Sequence, residues 1–160
     1  MKHKGSIIDF TPKRNAEIIR TYRTIIAHAD HIDRNKVFAQ VANSPCSRFW
    51  VSEERAYQVV LAMLKGHPIV YTMTPNKRDM FTEIHRRVCQ YRTEHPDTLL
   101  ADAVWEVVNS RAPKFYMTPK TIEEIINRIK RGYYDKPQPR MNQYAPTKEE
   151  VEDYFKCGKL

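Results

Sequence analysis

Glycine is scarce in this chain, with four scattered residues in 160, and that excludes a glycine-rich phosphate-binding loop. Cysteine is nearly as rare. Cys46, Cys89 and Cys157 show no CxxC or cysteine–histidine spacing, and their odd number argues against a disulfide framework, so a reduced, intracellular chain is expected. No uncharged apolar run reaches membrane length, and the N-terminal "MKHKGSIIDF" has charges without an apolar signal core. Neither secretion nor a membrane anchor is expected, which leaves a cytoplasmic protein, or a virion-associated one if phage-encoded. GxSxG, HExxH and cysteine–histidine nucleophile contexts are all missing. His28 and His31, with Asp30 and Asp33, come nearest to a metal cluster, but no second ligand group follows at a recognisable spacing. A helix C-terminus followed by a cap explains the same residues. Glu123-Glu124 and Glu149-Glu150 read as solvated helix faces rather than as a paired acid and base. The expectation is a protein without enzymatic activity, cofactor or metal.

What the chain does have is positive charge and a repeated phrase. Lys and Arg number 27 against 19 Asp and Glu, a formal charge of +8, which favours a polyanionic partner. The phrase is "NSPCSRFWVS" at 43–52, echoed by "NSRAPKFYMT" at 109–118. At an offset of 66 residues Asn43/Asn109, Ser44/Ser110 and Phe49/Phe115 are identical, while Arg48/Lys114, Trp50/Tyr116 and Ser52/Thr118 keep their chemistry. The match runs on through Val59/Ile125, Val60/Ile126 and Met63/Ile129, and upstream through Glu17/Glu83, Ile18/Ile84 and Arg20/Arg86.

Each copy parses into three helices by its apolar period. In the first copy a helix is predicted from Asn15 to about His28, a second near Arg34–Ala42 after a cap at Asp30 or Asp33, and a third that Ser52 caps and Gly66 ends. In the second copy the spans are Lys77–Glu94, Pro96 or Asp97 to Val108, and a helix opened by Thr118-Pro119. "HPIVYTM" between the copies is predicted to be a short strand or extended linker. The predicted fold is all-α: two tandem trihelical units at 1–66 and 78–131, a linker at 67–77, and an arm with a short terminal helix at 132–160.

A helix, a turn and a third helix packed across it is the helix-turn-helix plan, and residues 15–64 and 78–131 resemble trihelical, homeodomain-like DNA-binding domains. The turn here is longer than the three or four residues usual for that motif. The resemblance implies that the third helices face nucleic acid. Arg48 and Lys114 would then meet phosphate just before those helices, with Arg55, Gln58, Lys120 and Thr121 in the first turns as candidates for base edges or phosphate. Glu53 and Glu54 occupy the same turn of the first copy and repel phosphate, so the second copy suits DNA better. The segments "SRFWVSEERA" and "APKFYMTP" are also similar to uncharacterised small basic proteins of gut Bacteroidetes, their phages and mobile elements. That similarity implies a phage or mobile-element setting, regulatory or structural, and no activity.

Phe49-Trp50 and Phe115-Tyr116 could stack on bases, but one ring of each pair is expected to staple the third helix to the core. Beyond Ile129 the apolar period ends. "KRGYYDKPQPRMNQYAP" sets Lys130, Arg131, Lys136 and Arg140 among tyrosines and prolines, as an extended arm that could follow a phosphate backbone or lie along a neighbouring subunit. The terminal "KEEVEDYF" puts Val151, Tyr154 and Phe155 on one stripe, a face for a core or a partner. The leading expectation is a DNA-binding protein, double-stranded DNA favoured over RNA. The alternatives are a phage-type assembly protein that binds protein neighbours or itself through its helical units and arm, and an RNA-binding protein.

Overall fold

The computed structural model describes the backbone of residues 6–135 and the side chains of residues 10–134. Six α-helices and two short 3₁₀ helices form among them, and no strand: α1 (Ser6–Ala27), α2 (Arg34–Ala42), α3 (Glu53–Leu64), α4 (Pro75–Glu94), α5 (Leu100–Val108) and α6 (Pro119–Lys130). The fold is all-α. Chain contacts divide it into Met1–Ile126 and Asn127–Leu160, a boundary that falls within α6.

The helix ends follow local chemistry. The Asp33 carboxylate accepts from the Asn35 amide at 3.1 Å to start α2, and Ser52 Oγ accepts from the Arg55 amide at 3.1 Å to start α3. Thr118 Oγ1 does the same for α6, accepting from the Thr121 amide at 3.2 Å. Gly66, with φ of 81°, supplies the left-handed residue beyond α3.

Three expectations need correction. The first helix begins at Ser6, not Asn15, with Pro12 inside it, because proline there removes one donor without stopping the turns on either side. The segment expected as strand or extended linker forms a 3₁₀ helix at Ile69–Thr72, held by Arg78, whose Nε donates to the Val70 carbonyl at 3.3 Å. The fifth helix starts at Leu100 rather than at Pro96 or Asp97. Pro96 disfavours helical backbone at His95 and so ends α4 there, and a turn closed by the Thr98 amide on the His95 carbonyl at 3.1 Å precedes α5.

The core joins the two halves of Met1–Ile126. Helices α1 and α2 pack on each other, with Tyr22 stacked on Phe38 at 6.0 Å, and α4 packs on α5. Helix α3 packs against α4, α5 and the 3₁₀ helix, so the third helix of the first half closes onto the first two helices of the second. Its inner face is Ala56, Val59 and Val60, all fully buried, and the matching face of α6 is Ile122, Ile125 and Ile126, also buried. Full burial of a valine or isoleucine side chain contributes about 1.5–3 kcal/mol.

The loops before α3 and α6 cross at the centre. Cys46 and Ala112 exchange both backbone hydrogen bonds at 3.0 Å, an isolated antiparallel bridge. On either side of it the Phe49 amide donates to the Val108 carbonyl at 3.0 Å, and the Phe115 amide donates to the Ala42 carbonyl at 3.1 Å. These bonds are related by an approximate two-fold exchange of each residue with the one 66 positions away. Phe49 is fully buried, stacked on Tyr116 at 6.0 Å with the Arg87 guanidinium 5.1 Å from its ring centre, and Phe115 is buried too.

Candidate nucleic-acid interface

Of the basic residues singled out in the first half, Arg48 is held inside the fold. It sits in the loop that the Cys46–Ala112 bridge fixes, and its Nε donates to the Phe49 carbonyl at 3.0 Å and Nη2 to the Val51 carbonyl at 2.9 Å. Glu53 lies 3.5 Å from the same Nη2, and the Phe10 and Trp50 rings lie 5.6 Å from the guanidinium carbon. With 19% of its side chain exposed, Arg48 acts as an internal brace that bends the chain into α3. Glu53 also accepts from Asn109 Nδ2 at 3.2 Å, so the first turn of α3 is tied to the end of α5. Arg55 and Gln58 point to solvent from α3, beside the exposed Glu54.

The second half offers more open cations. Lys114 is half-buried with its ammonium 5.2 Å from the Tyr116 ring centre, and Lys120 is exposed in the first turn of α6. Thr121 is half-buried and shares a 2.9 Å hydrogen bond with the Thr118 hydroxyl, so its own hydroxyl is engaged in capping. No carboxylate lies in the first turn of α6, whereas Glu53 and Glu54 lie in that of α3. Lys130 and Arg131 are exposed within Asn127–Leu160. Lys136, Arg140, Val151, Tyr154 and Phe155 lie outside the described residues.

Tyr116 has φ of 56°, a left-handed backbone that costs a non-glycine residue about 1–2 kcal/mol. Its ring stacks on Phe49, and burial, with the Glu83 carboxylate nearby, pushes its phenol up to about 12. Cys46 is similar. Burial first, then the Glu17 charge, raises its thiol to about 12, and Sγ lies 3.2 Å from the Arg48 carbonyl and 3.3 Å from the Lys114 carbonyl. Its thiol donates to both carbonyls at the crossing of the loops.

The repeated glutamate was not singled out by charge counting, yet it anchors both loops. Glu17 accepts from the Ser47 amide at 2.6 Å and the Ser47 hydroxyl at 2.7 Å, which ties the first loop to α1. The residue matching Ser47 is Pro113, which has no amide hydrogen, and there the route runs through arginine. Glu83 accepts from Arg86 and Arg87, while Arg87 Nη1 reaches the Arg111 carbonyl at 2.7 Å. Hydrogen bonds from Arg86, then from Arg87, lower the Glu83 carboxyl to about 2, and the same partnership raises the Arg86 guanidinium.

Beside the first loop lies an open cleft of about 600 Å³, walled by Lys13, Glu17 and Arg20 of α1 with Arg48, Trp50 and Glu53 opposite. Its cations share the walls with two carboxylates, so it is not a uniformly positive site. Trp50 Nε1 is buried there without a hydrogen-bond partner among the described residues. His28, at the end of α1, places Nδ1 2.8 Å from the Thr24 carbonyl, and among the described residues no group of three or more His, Cys, Asp or Glu is arranged to hold a metal ion. No described helix is long and apolar enough to cross a membrane. Compared with known proteins, the chain matches no family model, no curated protein and no solved structure.

Proposed function

We propose that the chain is a non-enzymatic nucleic-acid-binding protein, with double-stranded DNA its preferred partner and a regulatory, phage or mobile-element setting. It is built from a duplicated trihelical unit, and the second copy carries most of the contact. The observation that supports this most is the contrast between the two third helices. Helix α6 opens with an exposed Lys120 and the Thr118–Thr121 hydroxyl pair, with no acid in its first turn, and it ends with Arg128 and Lys130. Helix α3 opens with two glutamates, and Arg48 before it is turned onto backbone carbonyls. A phosphate backbone favours the first arrangement. In this reading Lys114, Lys120, Thr121, Lys130 and Arg131, with Lys136 and Arg140 of the arm, carry the contact, Arg55 and Gln58 are peripheral, and Arg48 positions α3.

Fluorescence anisotropy with duplex DNA, single-stranded DNA and structured RNA across a salt series tests this, because the slope of log affinity against log salt counts the phosphates neutralised. The expected result is duplex preference, and a Lys120→Glu slope shallower by about 1 with binding weakened at least several-fold. Affinity and slope unchanged in Lys120→Glu would remove α6 from the interface.

A second reading, an assembly protein that binds protein neighbours, has its own support. Leu99 is 71% exposed and Trp105 54% exposed, on an acidic stretch of an otherwise basic chain.

A further inference from the structure

Helices α2 and α5 occupy matching places in the two halves, yet their outer faces are opposite in shape and charge. On α2 the outer residues are Lys36, Ala39 and Gln40, and beside Ala39 lies a shallow groove of about 580 Å³, lined also by Ile25, Asn43 and Ser44. On α5 the residues 66 positions on are Asp102, Trp105 and Glu106, all exposed. A shallow groove beside alanine in one half thus corresponds to a projecting indole in the other, and a lysine corresponds to an aspartate. The Lys36 side chain is 81% exposed, and its ion pair with Asp33 at 4.0 Å is a weak surface contact.

We infer that this chain associates head to tail with a second copy of itself, the α5 face of one molecule seating Trp105 in the α2 groove of the next. The inference deepens the assembly reading and does not depend on nucleic-acid binding. One feature selects a copy of the same chain over another partner. Trp105 stands three residues after Asp102, as Ala39 stands three after Lys36, so when α5 lies parallel to α2 with the indole at Ala39, Lys36 of the next molecule meets Asp102. The indole supplies the rigid, amphipathic anchor that dominates interface energetics, and the shallow groove offers it the apolar side chains of Ile25 and Ala39. Because the two faces lie on different parts of one molecule, the contact is heterologous. It closes into a ring or continues as a filament instead of stopping at a two-fold dimer.

Light scattering on the full chain decides the matter, after nuclease treatment so that no polyanion bridges the basic chains. The expected result is a mass above 19.0 kDa that rises with concentration. Trp105→Ala weakens this association by at least about 30-fold, the loss of a strong interface anchor. Lys36→Glu weakens it too, and both variants keep the wild-type helical content by circular dichroism because neither side chain belongs to the buried core. Mixed in equal amounts, the two variants form a one-to-one dimer and stop there. The Lys36→Glu molecule keeps an intact indole face, the Trp105→Ala molecule keeps an intact groove, and their other faces cannot pair. A triple variant, Lys36→Glu with Asp102→Lys and Glu106→Lys, regains self-association. Three results would each overturn the inference: a monomeric wild type at millimolar concentration, wild-type assembly retained in Trp105→Ala, or an equimolar mixture that stays monomeric. Assembly that persists in both single variants would retain the assembly reading but move it to another surface.

Discussion

A carboxylate that accepts three guanidinium hydrogen bonds resists protonation, and Glu83 accepts them from Arg86 at 2.7 and 3.0 Å and from Arg87 at 2.8 Å. Its folded value of about 2 lies below the ordinary 4.5, so its contribution to stability is fully present above 4.5 and fades as pH falls through 2. Glu83→Gln is expected to lower stability by about 1 kcal/mol at neutral pH and to flatten the acid dependence between 4.5 and 2. Urea unfolding near neutral pH and again near the acid end of that window measures both effects. Equal losses at the two pH values would mean that the amide fails for reasons other than its missing charge. Glu17 and Glu83 were visible as a repeated pair in the sequence, but their different partners were not. Ser47 against Pro113 is the local signal, since only the first can donate an amide hydrogen.

At the scale of the helix, side chains close in sequence set the ends, and these were the most legible features. Asp33, Ser52 and Thr118 each cap the helix they precede. Ser52→Ala is expected to destabilise the protein by about 1 kcal/mol, read as a lower urea midpoint at unchanged slope. A loss well above about 2 kcal/mol would show that Ser52 does more than cap α3. Where the prediction erred, a residue outside the helix had intervened. Ahead of α5 the Thr98 amide closes a turn on the His95 carbonyl, and Arg78 draws the segment before α4 into a 3₁₀ turn by binding its carbonyls. The second of these depends on a side chain eight residues away, beyond the reach of a period count.

Over the whole of Met1–Ile126, what matters is which apolar face meets which. Helix α3 packs on α4, α5 and the 3₁₀ helix at Ile69–Thr72, so residues 1–66 expressed alone leave Val59 and Val60 without the surfaces that bury them. That fragment is expected to lack a cooperative thermal transition by circular dichroism, and mixing it with residues 67–160 is expected to restore one. A cooperative, fully helical 1–66 would mean that α3 can close on its own half. The crossing of loops at Cys46 and Ala112 reinforces the arrangement, because each half supplies carbonyls that satisfy amides of the other.

The sequence by itself determined the all-α class, the spans of α2 and α3, the caps Ser52 and Thr118, and the buried faces of α3 and α6. All of these follow from residue spacing and from bonds between near neighbours in the chain. Only the tertiary structure decided which stripe faces which, that Arg48 turns onto the Phe49 and Val51 carbonyls, and that Trp105 remains outside while Phe49 does not. An apolar stripe encodes the demand for burial but not the identity of its cover, and a cation's donors go to whatever acceptors the folded chain brings within about 3 Å.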